Sequence, residues 1–275
     1  MNLNCQKRHS RFIMSGMYST LQLREVFHFC FLERLLRMAD SSLFVLKGGV
    51  NLRFFFHSPR YSEDMDLDVL AGSVGTLRKN GYKLLADASF RRTLQVYGIA
   101  DIEINDPDKA KHTQTAQRFR VRLLTASGER LPTKVEFSRR AGAGKSADSS
   151  QSVEQIDVEI ARRYKRLSFS CQHYSGEAAA VQKVLALAGR TLTQARDVFD
   201  LDILQRGGYG RAEPIAEHVA PTDRDAALQK LQSLGFEDFS GQVLEFLDEE
   251  HRSQYETPSA WKAMVAQVSK LLVSK

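Results

Sequence analysis

The chain has 275 residues, a length that suits one large domain or two smaller ones. Its formal charge of +6 at pH 7 permits binding to phosphate-rich partners but does not require it. The three cysteines, Cys5, Cys30 and Cys171, form no Cys-x-x-Cys pair, which argues against a zinc knuckle and fits a reducing cytosol.

The first residues of the chain are polar and basic, and no apolar segment follows them, so we expect a loose tail over residues 1–16 and no signal peptide. The apolar runs elsewhere fall well short of the ~20 residues that a membrane span needs. We therefore expect a soluble protein of the cytoplasm that has no membrane partner.

Residues 17–150 mix helical and strand patterns. Apolar residues that recur every three to four positions indicate a helix, and strict alternation indicates a strand. These rules predict helices at residues 20–38, 50–56 and 76–94, the last with a break at Gly81, and strands at residues 43–46, 64–70, 98–104, 118–124 and 133–138.

The second half of the chain differs in composition. Residues 141–152 are rich in glycine and serine, which predicts a linker or mobile loop. Beyond about Asp157 the strand pattern fades, and the periodicity predicts helices at residues 177–190, 194–205, 223–234, 241–249 and 259–273. The sequence therefore predicts an α+β protein, with a mixed sheet and flanking helices in a domain over residues 17–150 and a helical domain over residues 151–275.

An acidic strand carries the strongest chemical signal. On a strand, Asp64, Asp66 and Asp68 project to one face, whereas Met65 and Leu67 project to the other and can enter the core. Crowded carboxylates repel each other, and a divalent cation offsets that repulsion directly. Mg²⁺ prefers a few carboxylates together with phosphate oxygens and water. The strand therefore predicts a site for Mg²⁺ or Mn²⁺ in which Asp64 and Asp66 are catalytic.

Gly48 and Gly49 lie between a predicted strand and a predicted helix, a short way ahead of the acidic strand. Glycine lets the backbone approach a ligand closely, and a helix N-terminus presents free N–H groups to an anion. A glycine pair alone is usually an ordinary turn, and an acidic pair alone is often a solvated strand end. A phosphate cradle followed by a metal-binding acidic pair suits nucleotidyl transfer from an NTP, with Gly48 and Gly49 as nucleotide-binding residues.

A third carboxylate is expected beside the first two, and Glu136 is the best candidate. If its strand pairs beside the acidic strand, Glu136 joins Asp64 and Asp66 as a metal ligand. The alternative is an ordinary strand whose exposed face carries Lys134 and Glu136.

The segment LKGGVNLRFFFHSPRYSEDMDLDV, from Leu46 to Val69, resembles the AbiEii/AbiGii toxin family of nucleotidyltransferases in the polymerase-β-like superfamily. The family pattern has a GG or GS turn and then an R-x-S-x-D-x-D stretch, here Arg60, Ser62, Asp64 and Asp66. Later it has a helix with a lysine, here Lys183, and an R-D-x-x-D-L segment, here residues 196–201. The resemblance spans about residues 40 to 205.

The resemblance implies a polymerase-β-like sheet followed by a helical domain, and it implies roles for single residues. Ser62 would contact the nucleotide phosphates, and Lys183 would pair with the triphosphate and take part in catalysis. Asp197 or Asp200 would belong to the nucleotide site and orient Lys183 or the base. Without the family, Lys183 is an exposed helix residue and Arg196 forms a surface pair with Asp200. The third carboxylate departs from the family pattern, because it is a glutamate and not an aspartate.

Two basic clusters suggest what the acceptor is. Arg118, Arg120 and Arg122 alternate with apolar residues and share one strand face. A second cluster lies at residues 162–166. Each alone is ordinarily a solvated basic face, but beside a nucleotidyltransferase site such patches suit a nucleic-acid backbone. We therefore expect an RNA acceptor, and the resemblance favours tRNA, since related toxins modify tRNA ends.

The leading hypothesis is a metal-dependent nucleotidyltransferase that acts on RNA as the toxin of a toxin–antitoxin system, with a separate antitoxin protein as a partner. One alternative is a catalytically silent module that binds nucleotide or RNA on the same fold. The intact pair Asp64 and Asp66 argues against it. The other alternative is a nucleotidyltransferase that modifies a protein or a small molecule, and the basic strand face disfavours a small molecule.

Overall fold

A seven-stranded mixed sheet forms the centre of the computed structural model, which describes residues 18–106, 113–139 and 150–273. The strand order is β3-β4-β5-β2-β1-β7-β6. The strands are β1 (Phe44–Lys47), β2 (Asp64–Val69), β3 (Ile99–Ile104), β4 (Ala116–Thr125), β5 (Arg130–Ser138), β6 (Gln151–Gln155) and β7 (Ser170–Tyr174). The acidic strand β2 and its neighbour β1 therefore lie in the middle of the sheet.

Helices flank this sheet and continue into a C-terminal helical region. The helices are α1 (Thr20–Met38), α2 (Gly48–Phe55), α3 (Val74–Ala86), α4 (Ala88–Gln95), α5 (Val158–Arg163), α6 (Gly176–Gly189), α7 (Ala195–Arg206), α8 (Ala212–His218), α9 (Pro221–Gln232), α10 (Phe236–Gln242), α11 (Glu249–Tyr255) and α12 (Pro258–Val273). Short 3₁₀ turns lie at Ser41–Leu43 and Leu244–Phe246. Helices α1, α3 and α4 pack together against the sheet, α6, α7, α9 and α12 pack on each other, and α2 contacts α6.

The pairing of the central strands sets the positions of the polar residues. β2 runs antiparallel to β1 and parallel to β5. In this register Asp66 lies opposite Lys47 on one side and opposite Glu136 on the other. Met65 and Leu67 point into the core and are fully buried, as the alternating pattern predicts.

Strand β7 corrects the expectation that the strand pattern fades beyond about Asp157, and β6 begins at residue 151, within the stretch predicted as a linker. They pair antiparallel with each other, and β7 runs parallel to β1. β6 is a mostly exposed edge strand without apolar alternation, and β7 is short and polar, so neither has a strand pattern. His173 in β7 is buried because its ring stacks on that of Phe55 at 3.6 Å.

The proposed division into domains over residues 17–150 and 151–275 stays a prediction. The tail at residues 1–16 lies outside the described residues, as does the predicted linker up to residue 149. No helix in the described ranges is both long enough and apolar enough to cross a membrane.

Several helix boundaries also differ from the sequence expectation. The helix expected at residues 76–94 is two helices, and the break lies at Asp87 and not at Gly81. The Asp87 side chain accepts a hydrogen bond from the Phe90 N–H at 2.7 Å, which caps α4. The helix expected at residues 241–249 is instead the end of α10, a 3₁₀ turn and the start of α11. Asp248 caps α11 in the same way.

The second basic cluster is largely engaged in ion pairs of the fold. Arg163 contacts the buried carboxylate of Glu25 at 3.3 Å, and Arg166 pairs with Glu33. Glu25 also pairs with Arg53 at 2.6 Å. These contacts join α1 to α2 and to the chain around α5, so much of the positive charge of this cluster is already balanced.

Gly81 allows a close approach of α3 to β4, and this gives a test of the packing. A Cβ atom at Gly81 would lie 2.4 Å from the ring of Phe119, which is fully buried. Glycine to alanine ordinarily stabilises a helix by about 1 kcal/mol. Overpacking a core costs about 1–3 kcal/mol, so we expect Gly81→Ala to lower the free energy of unfolding.

The matched control is Gly75→Ala in the same helix, where a Cβ atom meets no other atom within 4 Å. We expect this change to preserve or raise stability. Urea denaturation of the wild type and the two variants measures the free energy of unfolding. Equal stabilisation by both substitutions would contradict the close packing of α3 on β4.

Candidate active site

Three carboxylates lie on one face of two neighbouring parallel strands. β2 and β5 pair so that Asp66 lies beside Glu136 and Asp64 lies beside Lys134. The strand pairing on which Glu136 depends as a third carboxylate is therefore present. The side chain of Asp64 is 41% exposed and that of Glu136 is 15% exposed, so both remain open to a ligand.

Asp68 lies on the same strand but has a different environment. It is fully buried, it pairs with the Lys47 Nζ at 2.5 Å, and it accepts a hydrogen bond from the Tyr174 hydroxyl at 2.7 Å. These contacts join β2 to β1 and β7. Asp68 is therefore a structural residue, although the strand alternation places it with Asp64 and Asp66.

Positive charges lie among the three carboxylates. The Lys134 Nζ lies 3.3 Å from Asp64 and 3.2 Å from Glu136, and Arg118 donates two hydrogen bonds to Glu136. Burial raises the pKa of Glu136, but the hydrogen bonds from Arg118 and the charge of Lys134 outweigh it and hold the pKa below its usual range. At Asp66 burial prevails over the charges of Lys134 and Lys47, so the pKa of this carboxyl is raised.

The donor set fits a divalent cation that arrives with a nucleotide. Among the residues that the structure describes, no three His, Cys, Asp or Glu side chains are placed to hold a metal ion by themselves. Mg²⁺ needs only one or two carboxylates when phosphate oxygens and water complete its shell. Asp64, Asp66 and Glu136 supply such oxygens, and the ammonium of Lys134 already lies among them. A divalent ion that binds there has to displace or repel Lys134.

The glycine pair lets the start of α2 approach the acidic strand. Gly48 has φ +71°, and a Cβ atom there would lie 2.9 Å from the Oδ2 of Asp66. A Cβ atom at Gly49 would lie 2.8 Å from the Oγ of Ser62. Ser62 itself donates a hydrogen bond to the Asp64 carbonyl at 2.8 Å. The N-cap residue of α2, Lys47, makes no side-chain cap hydrogen bond, and the start of α2 faces the same space.

A buried network of opposite charges forms the other side of the site. The Lys183 Nζ lies 2.6 Å from Asp200 and 3.1 Å from Asp197. Arg60 contacts both carboxylate oxygens of Asp200 at 2.9–3.1 Å, and Arg190 pairs with Asp197 at 2.6 Å. Both aspartates are fully buried. The network connects α6 and α7 to the loop that leads into β2.

Asp200 and Lys183 stay charged in the folded chain. Burial by itself raises the pKa of Asp200, but Arg60 and Lys183 outweigh burial and lower it to about 2. Burial lowers the pKa of Lys183, and the charges of Asp200 and Asp197 outweigh that effect and raise it. The contact between Lys183 and Asp200 is therefore an ion pair at neutral pH.

The two sides face each other across a cleft of about 350 Å³. Of the residues that the sequence singles out, the cleft brings together Gly48, Gly49, Arg60, Ser62, Asp64, Asp66, Glu136, Lys183 and Arg196. Asp197 and Asp200 do not line it, and their buried positions suit the expectation that they orient Lys183. The cleft also includes residues that sequence reasoning gave no role, namely Lys47, Lys134, Gln182 and Arg190.

A larger cavity of about 520 Å³ adjoins the first and shares Asp64 and Lys134 with it. Arg120 and Arg122 of the exposed β4 face line this cavity. Arg118 is tied to Glu136, and Arg122 lies 3.6 Å from Glu103. Arg120 has no ion-pair partner among the described residues, so its charge is the most available of the three.

Replacing Asp200 or Asp66 by asparagine should change stability in opposite directions. Asp200→Asn leaves Arg60 and Lys183 without their common anion, which should cost about 3–5 kcal/mol of the free energy of unfolding at pH 7. Asp66→Asn removes a half-buried carboxylate whose charged form is disfavoured, so stability should hold or rise. Urea denaturation at pH 7 measures both effects.

The pH dependence of these effects also differs in sign. The lowered pKa of Asp200 makes its stabilisation complete above pH 3.8, and that stabilisation is lost as the pH falls through about 2. The raised pKa of Asp66 favours the folded state below pH 3.8, and this contribution is lost as the pH rises through its folded pKa. The gain from Asp66→Asn should therefore shrink toward pH 3.8. A loss in Asp66→Asn at pH 7 as large as that in Asp200→Asn would contradict this account.

Comparison with known proteins bears on the fold and on the family of the chain. Among solved structures, the chain is similar to a candidate nucleotidyltransferase from H. pylori, with 20% identity and a TM-score of 0.54 over 93% of this chain and 97% of that chain. It is also similar to JHP933 from Helicobacter pylori, with 21% identity and a TM-score of 0.52 over 93% and 94% of the two chains. This likeness confirms the predicted nucleotidyltransferase fold.

No curated protein matches the chain. The family model described as nucleotidyl transferase AbiEii toxin, type IV TA system, matches residues 30–273. Because that match covers most of the sequence and includes both sides of the cleft, the chain belongs to the AbiEii family of nucleotidyltransferase toxins of type IV toxin–antitoxin systems.

Proposed function

We propose that this chain transfers a nucleotide from an NTP to a hydroxyl group of an RNA acceptor, with tRNA favoured, in the presence of Mg²⁺ or Mn²⁺. The observation that carries the proposal is the cleft in which three carboxylates face a cluster of cations near a glycine turn. These cations, which we call the basic wall, are Arg60, Lys183, Arg190 and Arg196. The basic wall suits the phosphates of a nucleotide, and the carboxylates suit its metal ion.

Within this proposal the residues of the cleft divide the work. Gly48 and Gly49 bring the start of α2 close to the phosphates, and Ser62 contacts them from the loop before β2. The ammonium of Lys183 has three N–H donors, of which two point to Asp197 and Asp200 and the third can reach a phosphate oxygen. The metal ion, when bound by Asp64, Asp66 and Glu136, would neutralise phosphate charge and activate the acceptor hydroxyl.

The adjoining cavity suits the acceptor because it opens on the same carboxylate. Asp64 borders both cavities, so a hydroxyl group that enters from the β4 side meets the nucleotide there. The acceptor oxygen forms a bond to the α-phosphorus, and the bond from that phosphorus to the oxygen bridging to the β-phosphate breaks. Pyrophosphate leaves, and the hydroxyl proton passes to a base or to water.

Partner and location follow from the same proposal. Family membership supports an antitoxin protein as a partner that limits this activity. NTP and tRNA are both available in the cytoplasm, so we also propose that location. A protein acceptor is the main alternative to RNA, and the assay below separates the two.

The proposal is tested by incubating the purified chain with each labelled NTP and Mg²⁺ or Mn²⁺, in one reaction with total cellular RNA and in another with cellular protein freed of RNA. We expect label in an RNA band, and we expect Asp66→Asn to abolish it because a metal ligand is lost. Asp225→Asn, an exposed aspartate of α9 outside the cleft, is the matched control and should keep full activity. Label on protein and not on RNA would show that the acceptor is a protein. No transfer with any NTP would refute the proposed function.

The acceptor surface has its own test in Arg120. If Arg120 contacts an RNA phosphate, Arg120→Ala should weaken RNA binding and make the slope of log affinity against log salt shallower by ~0.7 for a single strand or ~0.9 for a duplex. Arg118 is unsuitable for this purpose because it also holds Glu136. Arg37→Ala, on α1 and outside both cavities, is the control. Filter binding from low to high salt measures the slope, and a slope equal to that of the control would place the acceptor elsewhere.

A further inference from the structure

Arg196 is a cleft residue whose charge is not balanced by any carboxylate in the described ranges. It lies in the first turn of α7, beside Asp197 in the sequence, and is half-buried. We propose that Arg196 binds the terminal phosphates of the NTP and supplies the uncompensated positive charge of the phosphate site. This inference rests on the proposed function and assigns a further binding residue to it.

The other cations of the basic wall already have internal partners. Lys183 pairs with both buried aspartates of α7, and Arg60 takes both oxygens of Asp200. Arg190 pairs with the second buried aspartate, Asp197. Three cations therefore share two anions, and the position of each is fixed by a contact within the protein. A phosphate that approaches Lys183 competes with carboxylates for the same ammonium.

Arg196 differs because its expected partner is taken. Its spacing from Asp200 on α7 predicts a surface pair, but Asp200 points inward and its oxygens are engaged by Arg60 and Lys183. Arg196 therefore faces the cleft with its guanidinium donors available. A planar guanidinium matches the oxygens of a phosphate group in a two-pronged contact, which an ammonium does not provide.

The charges across the cleft support a role at the phosphates and not at the acceptor. The carboxylates of β2 and β5 would draw the metal ion and the α-phosphate to one side. Arg196 belongs to the opposite, helical side with Lys183 and Arg190. The β- and γ-phosphates would extend from the metal toward this wall. Arg196 would therefore matter for polyphosphate binding whichever base the nucleotide carries.

The test measures ligand binding, so it does not depend on an acceptor or on turnover. Isothermal titration calorimetry in Mg²⁺ would compare inorganic tripolyphosphate, the four α,β-methylene NTP analogues and the corresponding nucleoside monophosphates. We expect Arg196→Ala to lower the affinity for the triphosphate ligands by about tenfold or more, as for loss of a hydrogen bond to a charged group. Monophosphate affinity should change much less, and Arg196→Lys should give an intermediate loss.

The control is Arg37→Ala, which removes an arginine from α1 outside the cleft and should bind every ligand as the wild type does. Thermal unfolding checks that Arg196→Ala keeps its fold, which we expect because Arg196 makes no ion pair with the residues that the structure describes. Unchanged triphosphate affinity in Arg196→Ala, with normal binding by the wild type, would overturn the role of Arg196 alone. A wild-type chain that binds neither tripolyphosphate nor any NTP analogue would overturn the proposed function together with it.

Discussion

The geometry of the site depends on the ion pairs that the buried carboxylate of Asp200 makes. Asp200 lies on α7, and it holds Arg60 from the loop before β2 and Lys183 from α6. One side chain thereby joins the loop before β2 to two helices of the helical region. A buried charge is tolerated only when it is paired and hydrogen-bonded, so these three residues require one another. The same requirement holds the cations of the basic wall in place before any phosphate arrives.

The two sides of the cleft carry opposite charges. Carboxylates lie on the strand side, and cations that exceed their internal anions lie on the helix side. Lys134 and Arg118 partly neutralise the strand side, which limits the repulsion among Asp64, Asp66 and Glu136 in the absence of a metal ion. A triphosphate with a divalent ion complements both sides together, whereas either component alone complements only one. If the chain acts as we propose, this arrangement would favour binding of the nucleotide as its metal complex.

Family membership, fold and site geometry bear on different levels of function. The family match supports nucleotidyl transfer as the reaction, and the likeness to the two H. pylori structures supports the fold. The choice of acceptor depends on surfaces outside the cleft, where the chain offers a cavity lined by Arg120 and Arg122. The second basic cluster contributes less free charge than its sequence indicates, because Arg163 and Arg166 pair with glutamates of α1.

Local patterns in the sequence determined α1, the acidic strand β2 and the glycine turn, because helix and strand periods and the special backbone of glycine act over a few residues. The sequence could not determine contacts between distant segments. Only the tertiary structure decided that β6 and β7 extend the sheet, since polar strands gain their place from neighbours and not from alternation. It also decided that Asp68 is buried in an ion pair with Lys47, whereas Glu136 stays accessible from the cleft. In the same way, Asp200 pairs with Arg60 and not with Arg196. Strand register and burial decide these pairings, and both arise only when residues far apart in the chain pack together.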